Sequence, residues 1–390
     1  MSLKDKIKSL SVALLPEIVE IRRYLHMHPE LSFEEYETSK FIKSILKKWG
    51  IPFQENIADT GIVVLLKGKN SEKKCVGLRA DFDALPIKEE NDVDYCSKND
   101  GVMHACGHDA HTASLLGVVN ILHQIEQEWE GSVKFIFQPA EERLPGGAQQ
   151  MIKEGVLENP KVDHMFGQHV FPDLEVGTVG FKAGQYMAST DELHITINGK
   201  GGHAALPEKN KNPIQVASDL TSKLYGYFEQ ETEIPSVFSI GYVQGLGSTN
   251  VVPDKVEMMG TLRAMDEDWR ANAHKKILSV SASLAKKYQV EIDFEIRKGY
   301  PFLENDKALT TEAVESAKTY LGAENVVQLP IRMTAEDFAY FTKELPACFY
   351  RLGTANAAKG ITHGLHTSRF DIDEKALEIG MGLMAWLVIN

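Results

Sequence analysis

Residues 103–119 of this 390-residue chain read Met-His-Ala-Cys-Gly-His-Asp-Ala-His-Thr-Ala-Ser-Leu-Leu-Gly-Val-Val. Three histidines, one thiol and one carboxylate fall within residues 104–111, and an apolar run follows at once. This order predicts a loop that leads into the N-terminus of a helix. Binding and catalytic groups concentrate on loops that rigid elements hold in place. Because imidazole and thiolate both suit divalent transition metals, the stretch indicates a metal site.

Strand-like runs lie on both sides of this predicted helix. Residues 61–66 and 75–80 precede it, and residues 132–137 follow it. Strands that alternate with helices are typical of an α/β fold with a mostly parallel sheet and helices on both faces. In such sheets, ligands gather beyond the carboxyl ends of the strands.

The pattern of the chain changes near residue 184 and predicts an inserted domain. From there we expect a strand around residues 193–197, a helix at 212–230, strands at 236–244 and 255–264, a helix at 267–288 and a strand at 291–297. That order is the ferredoxin-like α+β arrangement. The predicted domains are a first catalytic part at residues 1–184, an inserted domain at 185–298, and a second catalytic part at 299–390.

The composition favours a soluble protein that handles a small ligand. The 42 basic and 55 acidic residues give a net charge of −13, which argues against nucleic acid or an anionic membrane as the main partner. The four cysteines are widely spaced and show no disulfide framework. The sequence shows no signal-peptide core and no run of 18 apolar residues, so we expect a cytoplasmic protein.

Within the 104–111 cluster, Cys106 and His108 are the first candidate ligands. They lie two positions apart across Gly107, so both side chains can face one ion. The remaining histidines are expected to shape the loop, and Asp109 is expected to cap the following helix.

A pair of carboxylates, Glu141 and Glu142, comes directly after the predicted strand at residues 132–137. Adjacent carboxylates repel each other unless a cation neutralises them. A metal would do so, with one Glu as a ligand and the other free for proton transfer.

Later histidines supply further candidates. His169 is expected at the end of a strand-like stretch, in a position suited to a ligand. His363 and His366 share a Gly-containing loop, and the residues themselves do not decide between them.

The inserted domain carries polar residues of its own. His203 follows a Gly-rich turn at residues 199–202 and could donate a hydrogen bond to a developing oxyanion. Asn250 and Arg263 could hold a substrate carboxylate, because Arg matches carboxylates bidentately.

These motifs resemble the amidohydrolase branch of the co-catalytic metallopeptidase family, which also contains aminoacylase and glutamate carboxypeptidase. The branch includes N-acyl-L-amino-acid amidohydrolases, hippurate hydrolases, auxin-conjugate hydrolases and N-acetyl-diaminopimelate deacetylases. The resemblance runs nearly end to end. The motifs that carry it are residues 22–32, 78–86, 104–111, 138–142, 201–204, 249–253, 333–338 and 365–367.

The resemblance implies two divalent ions per subunit, of Mn, Zn, Co or Ni. It implies that Cys106 bridges the ions, and that the other ligands are His108, Glu142, His169 and His366. Glu141 is the implied general base. Asp83 is implied to orient a metal ligand without binding the metal itself. The inserted domain is similar to the family's lid and dimerisation domain. This similarity implies a homodimer or higher homo-oligomer in which His203 reaches an active site of its own or the partner subunit.

The function predicted from these features is metal-dependent hydrolysis of the amide bond of N-acyl-L-amino acids. A dipeptidase that uses the same site is the first alternative, because a dipeptide is also an N-acylated amino acid. A non-catalytic metal-binding module is the second alternative. Glu141 argues against the second, because a pure binding site has no need of an unliganded carboxylate beside its ligands.

Overall fold

The computed structural model describes residues 1–389. The α-helices are α1 (Leu3–Met27), α2 (Tyr36–Lys48), α3 (His108–Gln124), α4 (Gly147–Lys153), α5 (Pro213–Phe228), α6 (Glu267–Tyr288), α7 (Lys307–Leu321), α8 (Ala339–Glu344) and α9 (Lys375–Ile389). The strands are β1 (Phe53–Ile57), β2 (Gly61–Lys67), β3 (Cys75–Asp81), β4 (Ser132–Gln138), β5 (His164–Glu175), β6 (Val179–Phe181), β7 (Gly184–Met187), β8 (Asp191–Asn198), β9 (Gly202–His203), β10 (Ser236–Gln244), β11 (Val251–Val252), β12 (Lys255–Ala264), β13 (Glu291–Lys298), β14 (Leu303–Asn305), β15 (Val326–Gln328) and β16 (Ala347–Ala355).

The first compact unit comprises residues 1–184, 304–330 and 340 onward. It holds an eight-stranded sheet in the order β1-β2-β4-β3-β5-β16-β6-β15. The neighbours β4, β3, β5 and β16 run parallel to one another, and β1 and β2 add antiparallel strands at one edge. The predicted α/β class with a mostly parallel central sheet is confirmed.

The centre of this sheet is apolar along whole strands. Every residue of β3 and of β4 is buried, as is typical of parallel strands that helices cover. Helices α1, α3 and α9 pack on one another, and their apolar residues join those of the sheet in one core. Of the helices in residues 1–389, none is both long enough and apolar enough to cross a bilayer.

The second compact unit comprises residues 185–303 and 331–339. Its four-stranded antiparallel sheet has the order β10-β12-β8-β13, and its elements follow one another along the chain as predicted for the ferredoxin-like arrangement. In β8, buried and more exposed residues alternate, and the buried ones pack with α5 and α6. A two-stranded ribbon of β9 and β11 is also present.

The boundaries of this unit differ from the predicted 185–298. Residues 299–303 belong to it because the Gly299 N–H donates to the Thr190 carbonyl, and the Thr190 N–H donates to the Tyr300 carbonyl. Residues 331–339 belong to it because the Arg332 N–H donates to the Tyr186 carbonyl. Such backbone pairing between distant segments leaves no local trace in a sequence.

Candidate metal centre

The carboxyl ends of two adjacent parallel strands carry the first group of site residues. Asp81, the last residue of β3, pairs in register with Gln138, the last residue of β4. Asp83 therefore follows one strand, and Glu141 and Glu142 follow its neighbour, at the same edge of the sheet. This is the edge where ligands bind in folds of this type.

The start of helix α3 brings His108 to the same edge. Gly107 precedes the helix with φ 81°, a left-handed conformation that a side chain disfavours. A Cβ at Gly107 would also lie 2.4 Å from a methyl carbon of Val170. Glycine is thus required where the loop turns sharply between Cys106 and His108.

Two groups of donor atoms share the Cys106 thiol. One consists of Cys106, His108 and His169, and the other of Cys106, Glu142 and His366; the donor atoms of each group lie within 4.8 Å of one another. Cys106 Sγ is 3.5 Å from His169 Nε2 and 3.3 Å from His366 Nε2. The five predicted ligands are therefore brought together, with Cys106 common to both groups.

The contacts of His108 test whether these residues fit a metal. Its Nδ1 lies 2.9 Å from the Asp83 carbonyl oxygen and 3.1 Å from Asp83 Oδ1, so Nδ1–H donates to Asp83 and Nε2 keeps its lone pair. Nε2 is buried and has no hydrogen-bond partner. Buried polar atoms usually have a partner, and a cation at this point would supply it. The sulfur, nitrogen and oxygen donors suit Zn, Mn, Co or Ni.

The electrostatics around His108 also favour a cation. Burial opposes protonation of its ring, but the carboxylates of Asp81, Asp83 and Glu142 outweigh burial and raise the pKa of His108 to about 10. In these negative surroundings, a divalent ion would take the place of the proton on Nε2. At His169, burial and then Arg351 hold the pKa far below its ordinary value, so that imidazole stays neutral, as a metal ligand must be.

Asp83 connects several of these groups. Besides His108, it accepts hydrogen bonds from Ser32 Oγ at 2.6 Å and from the Glu142 N–H at 2.9 Å. Burial disfavours its ionised form, yet the hydrogen bonds from His108 and Ser32 keep the pKa of Asp83 below its ordinary value. Asp83 thus orients His108 and the backbone of Glu142 together.

Glu141 lies inside the same cluster. Its side chain is 7% exposed, and one of its oxygens lies within 4.8 Å of the donor atoms of His108 and Glu142. His366 reaches the site from a loop near the C-terminus, where its N–H donates to the Ala105 carbonyl at 2.8 Å. Among residues 1–389, His363 belongs to none of the donor groups.

Two expectations about this region are wrong. His169 lies within the twelve-residue strand β5, not at a strand end. Asp109 does not cap α3, because Gly107 occupies the cap position; Asp109 instead accepts hydrogen bonds from Arg22 Nε and His26 Nδ1. The fully buried Arg22 needs a carboxylate partner, and the first turn of α3 supplies it.

In the second unit, His203 and Asn250 lie side by side. The Ala204 N–H donates to the Asn250 carbonyl, and His203 pairs with the following residue, Val251. Both side chains are exposed. His203 Nδ1 accepts a hydrogen bond from the Ala205 N–H at 3.1 Å, which leaves Nε2–H as a donor.

Arg263 lies elsewhere in the second unit. It is near the far end of β12, eight residues from Lys255, which is roughly 26 Å along a strand. Asn250 lies beyond the Lys255 end of that strand. Within one chain, the structure therefore does not bring Arg263 to His203 and Asn250.

Comparison with known proteins identifies the family. Residues 77–390 match the family model of peptidase family M20/M25/M40. N-acetylcysteine deacetylase of Bacillus subtilis (strain 168) is 38% identical over 381 residues, which cover 95% of this chain and 96% of that protein. Thermostable carboxypeptidase 2 of Saccharolobus solfataricus is 36% identical, over 100% of this chain and 99% of that protein.

A solved structure extends the comparison to the fold. The Bacillus subtilis YXEP protein, described as a dinuclear metal binding peptidase from the M20 family, superposes with a TM-score of 0.82. The two chains are 36% identical, and the match covers 97% of this chain and 98% of the other. The present chain belongs to peptidase family M20/M25/M40 and is a metal-dependent amidohydrolase.

Proposed function

We propose that this chain hydrolyses the amide bond of N-acyl-L-amino acids and releases a carboxylic acid and a free amino acid. The observation that carries the proposal is the pair of donor groups that share Cys106, with the buried Glu141 beside them. The similarity to a deacetylase of an N-acylated amino acid supports the choice of substrate.

The ligand roles follow the two donor groups. Cys106, His108 and His169 would hold one divalent ion, and Cys106, Glu142 and His366 would hold the other. When bound, ions of Mn, Zn, Co or Ni polarise a carbonyl and lower the pKa of a water molecule. Asp83 keeps His108 in the tautomer that binds through Nε2.

Glu141 acts as the general base. Its carboxylate accepts a proton from the attacking water as the C–O bond forms, and passes this proton to the amide nitrogen as the C–N bond breaks. One proton thus moves from water to the leaving amine. The burial of Glu141 and its proximity to His108 and Glu142 support this role.

The second unit supplies donors for the substrate. His203 Nε2–H donates to the oxygen that becomes negative in the transition state. Arg263 and Asn250 bind the carboxylate of the amino acid. Because these two side chains lie at opposite ends of β12, one carboxylate can contact both only if they come from two copies of the chain.

We therefore propose that the active form of the enzyme is a homodimer. Strand β10 lies at the edge of its sheet and carries exposed apolar side chains at Val237, Tyr242 and Val243, followed by Leu246, which is 82% exposed. An apolar edge of this kind is suited to a second copy of the chain.

The test is an assay of the purified protein, loaded in turn with Mn²⁺, Co²⁺, Ni²⁺ or Zn²⁺, on N-acetyl and N-benzoyl amino acids. We expect release of the free amino acid. A folded, metal-loaded protein without turnover on any of these substrates would contradict the proposal.

A relative that is named as a carboxypeptidase gives reason to test peptides as well. The assay should compare each dipeptide with its N-acetylated analogue. Faster turnover of the free dipeptide would favour a dipeptidase, and faster turnover of the acetylated form supports the proposed deacylase.

A further inference from the structure

Glu35 is the N-cap residue of helix α2, but its side chain makes no capping hydrogen bond. Ser, Thr, Asp and Asn are the preferred capping residues, and the Glu35 side chain makes no hydrogen bond to the first turn. Glu30 caps the helix in its place, since its Oε2 accepts hydrogen bonds from the Thr38 N–H at 2.7 Å and from Thr38 Oγ1 at 2.8 Å. The side chain of Glu35 is thereby released for another contact.

That contact is with the turn that carries the proposed base. Glu35 Oε1 accepts a hydrogen bond from the Ala140 N–H at 2.9 Å, across 105 residues of sequence. The same oxygen accepts one from the Phe33 N–H, and Oε2 accepts one from Thr60 Oγ1. Glu35 is 0% exposed, and its hydrogen bonds from Ala140 and Thr60 are buried.

Ala140 has a backbone conformation that needs such support. Its φ of 54° lies in the left-handed region, which a residue with a Cβ adopts only where its surroundings enforce it. Its carbonyl accepts a hydrogen bond from the Gly147 N–H at 3.0 Å, and its amide donates to Glu35. The next residue along the chain is Glu141, so the conformation of Ala140 sets the direction in which Glu141 leaves the turn.

We propose that Glu35 is a positioning residue that fixes Glu141 for catalysis by accepting the hydrogen bond of the Ala140 amide. The inference rests on the proposed role of Glu141 as the general base. Glu35 itself touches neither the substrate nor the metal ligands in this role.

The property of Glu35 that matters is its acceptor oxygen and not its charge. Burial and the nearby Asp83 carboxylate raise the pKa of Glu35 to about 7, so it is a poor source of fixed negative charge at neutral pH. A neutral side chain of the same length can still accept the Ala140 N–H.

Two variants separate these properties. Glu35→Gln keeps an acceptor oxygen at the same distance and removes the charge, whereas Glu35→Asp keeps the charge and withdraws the oxygen by one methylene. We expect E35D to lower kcat by about 10- to 100-fold, as for a catalytic group displaced by roughly 1 Å, with KM and metal content near the wild-type values. E35Q should retain much more of kcat than E35D. The exposed neighbour Glu34 provides the matched control, E34A.

The opposite ranking, with E35D active and E35Q impaired, would overturn the proposal in favour of a role for the charge. A parallel loss of bound metal and kcat in E35D would also overturn it, because Glu35 would then support the ligands and not the base.

A crystal structure of E35D tests the inference independently of the assay. We expect Ala140 to leave the left-handed region or Glu141 to change its direction. An unmoved turn would overturn the positioning role even if no substrate is ever found. A moved turn in a protein that is inactive on every N-acyl amino acid would instead count against the proposed function alone.

Discussion

At the scale of single residues, Cys106 is the donor on which both proposed ions depend. We expect Cys106→Ala to lose both ions, because each donor group would retain only two of its three members. His366→Ala should retain about one ion per chain, because only one group is affected. Metal analysis after dialysis measures the difference, and two equivalents bound to C106A would contradict a shared thiolate.

Glu141 is predicted to matter for the reaction and not for metal binding. Glu141→Gln preserves the size of the side chain but cannot accept the proton from water, so kcat should fall by at least about 10²-fold. The metal content of the variant should equal that of the wild type. Activity close to that of the wild type would remove Glu141 from the role of base.

Asp191 in the second unit gives a prediction about pH. Burial disfavours its ionised form, but hydrogen bonds from His274 and Arg270 outweigh burial and lower the pKa of Asp191. Its Oδ1 lies 2.6 Å from Arg270 Nη2, and its Oδ2 lies 2.6 Å from His274 Nε2. Removing one partner of a buried pair costs about 3 kcal/mol or more, so Asp191→Asn should be less stable at pH 7 by that amount.

The sign of the pH effect follows from the lowered pKa. The folded form of Asp191 binds its proton less readily than the unfolded form, so this contribution is fully present above a pH of about 4. It is lost as the pH falls through the folded-state value. The difference in free energy of unfolding between the wild type and D191N, measured in urea, should shrink from pH 5 toward pH 3. A constant difference would contradict this interpretation.

At the scale of elements, the packing of helix α9 reverses an ordinary helix preference. Alanine favours helices over glycine by about 1 kcal/mol. At Gly382, however, a Cβ would lie 2.2 Å from the Tyr320 hydroxyl and 2.8 Å from Ser11 Oγ, and Tyr320 is too buried to move aside. We expect Gly382→Ala to destabilise the protein by about 1–2 kcal/mol, because overpacking outweighs propensity.

Gly226 in helix α5 is the matched control for this prediction. Nothing lies within 4 Å of a Cβ built there, so Gly226→Ala should stabilise the protein by about 0.5–1 kcal/mol. Denaturant unfolding of both variants tests the contrast. A stabilised G382A would show that α9 can shift away from α1 and α7.

Elements with strong periodicity were predictable from the sequence, and irregular backbone was not. The helix expected at residues 267–288 is α6, and the strand expected at 291–297 is β13. The left-handed backbone at Ala140 has no such signal, because the hydrogen bond that supports it runs from the Ala140 N–H to Glu35, which is far away in sequence. The capping role of Asp109 failed for a similar reason, since a buried Arg22 on another helix takes its carboxylate.

At the scale of the whole molecule, the proposed dimer can be tested at the edge strand. We expect the wild-type mass in solution to equal that of two chains. The double change Val243→Asp and Leu246→Asp places two charges on the exposed apolar edge and should reduce the mass to that of one chain. Val12→Asp, at an exposed position of helix α1, is the control. Light scattering measures the mass, and a wild type of single-chain mass would contradict the proposal.

The grouping of the site residues was predictable only in part. Cys106 and His108 are close in sequence, as are Glu141 and Glu142, so the sequence alone could predict that each pair belongs to one site. His366 lies 260 residues from Cys106, and the residues alone left it undecided against His363. The resemblance to a family favoured His366. Ser32 and Glu35 act through buried hydrogen bonds to residues that share no local pattern with them, so no motif disclosed these contacts.

The hydrogen bond between Glu35 and Ala140 has a consequence for whether the site can be moved to another protein without the N-terminal segment. The region that matches the family model begins at residue 77 and contains every proposed ligand and the proposed base. Ser32, which donates to Asp83, and Glu35, which accepts from the Ala140 N–H, both precede this region. A fragment or chimera that starts at residue 77 would contain all the proposed ligands and the proposed base, but it would lack the two hydrogen-bond partners that orient them. Modular transplantation of the site would therefore have to carry the segment from residue 30 to residue 35 as well.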